Sequence, residues 1–188
     1  SGYIIDKDMI FSCNARSIAY RREIFLNIGG YSEINSMISG DDDLLLHKMV
    51  HYSNCRVKFI MHKQAAVFSE APLTLIGFIK QRLRYASKGY FYYQNFFISK
   101  EFKIMLPFLY LINLLSCILI LNFCYSGAPI YFIALLLKII PDYFLIHPIY
   151  EIYNIKWNWI SFIILSICHP FYIVSFGLLG PLNKVQWK

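Results

Sequence analysis

Two patterns of apolar and polar positions divide this chain near residue 100. Before it, apolar runs are short and broken by charge; after it, they are long enough to cross a bilayer. Tyr3-Ile4-Ile5 and Met9-Ile10-Phe11 suit strands or strand ends. Ala19 to Ile28 is predicted helical, with Ile24, Phe25 and Ile28 on one face and Gly29-Gly30 as the stop. A second helix is predicted from Asp41 to about Tyr52, with acidic residues at its start. Arg56 to Met61 and Ala65 to Phe68 are strand candidates, and Pro72 introduces a helix from about Leu73 to Gly89. Three apolar segments follow: Ile104–Leu121, Ile130–Tyr150 and Trp159–Leu179.

Composition sharpens this division. The 188 residues are 57% hydrophobic with a mean hydropathy of +0.47, too apolar for an ordinary soluble domain. Residues 1–98 are therefore expected to face water, and 99–188 to form a transmembrane region. Tyr90, Phe91, Tyr92, Tyr93, Phe96 and Phe97, at the join, suit the headgroup level. The net charge is +7, and Lys80, Arg82, Arg84, Lys88, Lys100 and Lys103 are opposed locally by Glu101 alone. Cations just before a span favour the cytoplasmic side of a cell (inner) membrane and attract anionic lipid. Because these charges abut lipid-seeking segments, membrane lipid is the expected partner and nucleic acid is not.

The second apolar segment is irregular. It carries Lys138, Pro141, Asp142 and His147, with Lys138 and Asp142 four apart and able to pair. Three crossings would also leave Lys184 and Lys188 on the side that positive charge avoids. Either that bias fails here, or the second segment is re-entrant or interfacial. The five cysteines form no C-x-x-C pair, so reduced, buried thiols are expected. The chain opens at Ser1-Gly2-Tyr3 without an initiator methionine or signal peptide, as a fragment of a longer protein would.

Candidate chemistry lies in two polar clusters. Asp41, Asp42 and Asp43 follow Gly40 and precede Leu44-Leu45-Leu46. Carboxylates beside a core need partners, and crowded ones hold protons more readily, which suits a general base. Their bland reading is an acidic first turn stabilised by the helix dipole. Gln81, Arg84 and Tyr85 stand at i, i+3 and i+4 on one helical face, extended by Lys88. An arginine fork binds phosphate oxygens bidentately, and an aromatic face stacks on a sugar ring. The bland reading is an amphipathic helix with its cations toward headgroups. His47 and His51 share a helix face, but without an H-E-x-x-H pattern they make a poor zinc site.

Five stretches in order resemble the membrane-bound family 2 glycosyltransferases, inverting enzymes related to cellulose, hyaluronan and chitin synthases. They are Cys13-Asn14-Ala15-Arg16-Ser17-Ile18-Ala19-Tyr20-Arg21-Arg22, Gly29-Gly30-Tyr31, Gly40-Asp41-Asp42-Asp43, Ser69-Glu70-Ala71-Pro72 and Gln81-Arg82-Leu83-Arg84-Tyr85. The resemblance covers the last half of such a catalytic domain. It implies an α/β fold, the C-terminal half of a GT-A domain followed by about three transmembrane helices. It also implies transfer from a nucleotide diphosphate sugar, UDP-linked by expectation, to a saccharide or lipid-linked acceptor in polysaccharide or cell-envelope synthesis.

By position the resemblance makes Asp42 the catalytic base, with Asp41 beside it. It brings Arg84 to the nucleotide diphosphate and Gln81 and Tyr85 to the acceptor, with Arg82 also substrate-binding. Tyr85 stands where tryptophan is usual. Arg16, Arg21 and Arg22 fall near the nucleotide-sugar side, and Glu70 has no chemical role. The D-x-D motif that would hold a divalent metal (Mg or Mn) is absent, so its ligands are expected outside these residues. The chain alone is accordingly expected to be inactive. The competing expectation is a non-catalytic scaffold or assembly subunit with a lipid-binding basic helix.

Overall fold

The computed structural model describes residues 12–13, 15–34 and 40–182. They form α1 (Arg22–Asn27), α2 (Asp41–Ser53), α3 (Leu75–Ser87), α4 (Gly89–Gln94), α5 (Lys100–Ser126), α6 (Pro129–Ile152) and α7 (Trp159–Leu179). Short 3-10 turns stand at Ala15–Ser17 and Lys63–Ala65.

The structure is 70% helical and, among the described residues, contains no strand. This overturns the expected α/β GT-A fold. The strand candidates Arg56–Met61 and Ala65–Phe68 are irregular chain outside the short turn at Lys63–Ala65. Ile60, Val67 and Phe68 in these runs are exposed, so no second layer covers them. An alternating apolar run becomes a strand only when a neighbour takes its backbone groups. The candidates at Tyr3–Ile5 and Met9–Phe11 lie outside the described residues.

The chain falls into two compact units, residues 1–105 with 179–188, and residues 106–178. The first is organised around α2, where every residue from Asp43 to Met49 is buried. Leu44, Leu45, Leu46 and Met49 join Ile34, Tyr92, Phe97, Ile98 and Phe102 in the core. The His47 and Tyr92 rings each meet the Phe102 ring edge-on, with centroids 4.9 and 5.0 Å apart. Asn54, in the left-handed conformation, ends α2 with its N–H on the Val50 carbonyl. Thr74 Oγ1 accepts from the Gly77 N–H at 3.1 Å, which starts α3 two residues later than expected.

In the second unit the apolar surface points outward. By length and composition α5, α6 and α7 are each able to cross a bilayer, with mean hydropathies of 2.5, 1.8 and 2.0 over their best windows. They mark the chain as a membrane protein. Polar side chains within α5 turn back on their own helix. Asn113 Nδ2 donates to the Leu109 carbonyl, Ser116 Oγ to Ile112 and Asn122 Nδ2 to Ile118, each at 2.8 Å.

A candidate active site at the start of α2

Gly40 places the acidic turn. It adopts φ 91°, and a Cβ there would lie 2.7 Å from Lys88 Cδ. Only glycine allows both the left-handed turn and that approach. α2 then begins with Asp41, Asp42 and Asp43 together, where the N–H groups of the first turn and the helix dipole favour negative charge.

The three carboxylates have different surroundings. Asp43 is 3% exposed. One of its oxygens accepts from the Cys13 backbone N–H at 2.8 Å. The other accepts from the Tyr92 hydroxyl at 2.8 Å and pairs with the Lys88 ammonium. A buried carboxylate is tolerable only when its lone pairs are so occupied. Asp42 Oδ1 accepts from the Asp43 N–H at 3.0 Å, which turns its carboxylate along the helix end. Asp41 is exposed and Asp42 half-buried.

Asp41 and Asp42 line a cleft of about 430 Å³, together with Ile18, Ala19, Tyr20, Tyr31 and Leu45. Its aromatic wall is Tyr20, just before α1, and Tyr31, in the turn after it, joined through Phe25 of α1. Phe25 stacks on Tyr20 and meets Tyr31 edge-on, both with centroids 5.4 Å apart. Gly30, at φ 54°, lets the turn close, since a Cβ would come 2.8 Å from Phe25 Cζ. Lys48, only 1% exposed, holds this turn from below. Its ammonium donates to the Gly30 carbonyl at 3.0 Å and to Ser32 Oγ at 3.4 Å, and lies 3.7 Å from Glu33.

This environment shifts proton affinities upward. Burial, and then the negative charges of Asp43 and Asp42, push the Cys13 thiol up to about 12. The thiol donates to the Asp42 carbonyl at 3.2 Å. Burial and the adjacent Asp43 likewise raise Tyr92 above the ordinary phenol value. Tyr31 is raised by desolvation, by its neighbour Tyr20 and by Asp41 and Asp42.

No known protein family, curated protein or solved structure matches this chain significantly. The site therefore rests on its own geometry. Asp41 and Asp42 share the cleft with Tyr20 and Tyr31. Gln81, Arg82, Arg84 and Tyr85 are not among its walls. They lie on α3, where the Arg84 guanidinium sits 5.2 Å from the Tyr85 ring centroid. The Arg82 guanidinium sits 4.9 and 5.8 Å from the Phe78 and Tyr85 centroids. Lys88, just beyond α3, links the two clusters through Asp43.

Sequence reasoning passed over Asp43 as the buried hub and over Cys13, Tyr20, Tyr31 and Tyr92 as its surroundings. A buried acid needing a partner was readable in principle. Which of three neighbouring acids turns inward was not.

Among the described residues no group of three or more His, Cys, Asp and Glu is placed to hold a metal ion. Asp43 is already engaged by three donors, and Asp42 Oδ1 by a backbone N–H. These donors leave the acidic turn unfit to hold a divalent cation.

Proposed function

We propose that this chain is part of an inverting, membrane-bound glycosyltransferase in which Asp42 is the general base. The observation that carries the reading is convergence. Segments of three of the five resembling stretches, Cys13 with Ile18–Tyr20, Tyr31, and Asp41–Asp43, meet at the start of α2, and Lys88, three residues beyond the Gln81–Tyr85 stretch, reaches Asp43. A half-buried acid in the wall of a cleft that also carries two tyrosines suits a saccharide hydroxyl.

In the proposed step an acceptor hydroxyl donates to Asp42 while its oxygen attacks the anomeric carbon of the donor sugar. The new C–O bond forms as the bond to phosphate breaks, with inversion. The hydroxyl proton passes to Asp42, and the nucleoside diphosphate leaves with the electron pair. Arg84 and Arg82 supply positive charge for that leaving group, and Gln81 and Tyr85 contact the acceptor. UDP-linked donors and saccharide or lipid-linked acceptors are the substrate classes, in polysaccharide synthesis at the inner membrane with the first unit cytoplasmic. Residues beyond this chain complete the donor site.

Asp42→Asn in the intact membrane protein tests the reading. Sugar transfer falls by about 10²–10⁴-fold, the usual contribution of a positioned base, with membrane levels unchanged. Full transfer by that variant removes Asp42 from the chemistry.

A second reading has its own observation. Leu73, just before α3, is 96% exposed, and Leu75 and Ile76 in its first turn are also open, on the helix that carries Lys80 and Arg82. An apolar face edged with cations suits a lipid surface without catalysis. Unchanged transfer in both Asp42→Asn and Arg84→Ala, with weakened binding to anionic vesicles in the latter, favours this reading.

A further inference from the structure

Pro170 leaves a gap in the backbone of α7. Proline carries no N–H, so the Ser166 carbonyl, four residues earlier, loses its helical donor. Within a bilayer no water replaces that donor, and an unpaired carbonyl is costly. Ser166 is 4% exposed and Pro170 is fully buried, so the gap faces protein and not lipid.

α6 fills it. The Lys138 ammonium donates to the Ser166 carbonyl at 3.0 Å. Asp142, one turn further along α6, pairs with the same ammonium and balances its charge. The Lys138 side chain is 14% exposed, so its stem is packed as well as its head. The same remedy stands at a second proline. Pro107 of α5 deprives the Lys103 carbonyl of its donor, and the Tyr93 hydroxyl donates to that carbonyl at 2.9 Å.

Ring contacts show how the two helices lie. Tyr143 meets Phe162 at 6.0 Å and stacks on Trp159 at 5.3 Å, and Tyr150 meets Trp157 at 5.0 Å. Taken with Lys138 on Ser166, the partners step toward the start of α7 as α6 proceeds to its end. α6 and α7 therefore run side by side and antiparallel. The end with Tyr150, Trp157 and Trp159 suits the headgroup level. Lys138 lies about 18 Å of helix axis from Tyr150, near the middle of a hydrocarbon core about 30 Å thick.

A charged side chain at that depth calls for a reason, because leucine would enter lipid without its cost. We infer that Lys138 is a latch: its ammonium stands in for the N–H that Pro170 withholds and fastens α6 to α7 within the bilayer. Asp142 makes the latch electrically neutral, which keeps the charge where a lone cation would be expelled. The ion pair on α6 and the proline on α7 are two halves of one joint. The joint also selects a neighbour, since an unbroken helix offers no free carbonyl to receive the ammonium. It is independent of the proposed chemistry.

A double-mutant cycle in the full chain, in detergent micelles, tests the latch. Trp187→Phe leaves Trp157 and Trp159, at the α6–α7 contact, as the only indoles, and their fluorescence follows unfolding by added SDS. Lys138→Met together with Asp142→Leu removes the ion pair without stranding a charge. This replacement is expected to raise the unfolding equilibrium constant about 3- to 15-fold, the range of interhelical hydrogen bonds in membranes. Pro170→Ala returns an N–H to the Ser166 carbonyl, and in that background the same replacement is expected to cost less than about twofold. An equal effect in both backgrounds, or no effect with Pro170 in place, overturns the latch. If the pair-free protein does not accumulate in membranes, accumulation becomes the readout. Its recovery on adding Pro170→Ala supports the latch, and failure to recover overturns it.

Discussion

The two units solve opposite problems with similar helices. In the first, α2 buries charge: Asp43 and Lys48 sit among leucines, each held by several named partners. In the second, Leu109, Leu111, Leu115, Ile118 and Leu121 of α5 face outward, and polar groups fold back on their own backbone. One unit is shaped by removing apolar groups from water, the other by leaving no backbone group unpaired in lipid. Average hydropathy hides this contrast because it sums over two solvents.

The comparison breaks most visibly at Asp43. Asp43→Ala leaves Lys88, the Tyr92 hydroxyl and the Cys13 N–H without their acceptor. A loss of about 3–5 kcal/mol is expected, as for one partner removed from a buried ion pair. Thermal unfolding followed by signals from the first unit measures it. An unfolding temperature within error of the parent would mean that Asp43 is not the hub described.

In the second unit the corresponding probe is steric. Gly177→Leu drives a side chain into the Tyr110 ring and is expected to destabilise the α5–α7 contact by about 1–3 kcal/mol. Proteolysis of the membrane-embedded part should accelerate while signals from Tyr20 and Tyr31 in the first unit stay unchanged. Equal sensitivity in both units would erase the distinction between them.

The smallest effect is a slope. Cys13 holds its proton more tightly when folded than its ordinary value of 9.0, rising to about 12. A raised folded value stabilises fully below the unfolded value and loses that contribution as pH climbs toward the folded one. Stability is therefore expected to fall between pH 9 and about 12, with Tyr92 acting in the same sense. Cys13→Ser should flatten part of that fall in an alkaline unfolding series. An unaltered slope would remove Cys13 from the linkage.

Helices were the most legible part of the sequence. Trp159–Leu179 was delimited as observed, and the start of α2 followed from the glycine and three acids. Both signals are local, resting on continuous apolar length or on charge at a helix terminus. The strand expectation at Arg56–Met61 failed because it carries the composition of a strand but, among the described residues, no strand to pair with. At the site, Asp41 and Asp42 stood out by position alone. The hub did not, because Cys13, Asp43 and Tyr92 lie 30 and 49 residues apart along the chain and meet only through packing.

The protonated state of Cys13 also bears on reactivity. Oxidants and alkylating agents attack the thiolate, and a thiol held near 12 offers almost none at cellular pH. A sulfur placed within reach of the acidic turn is thus chemically quiet. Modification by a water-soluble thiol reagent would report on another cysteine of the first unit, such as the half-buried Cys55.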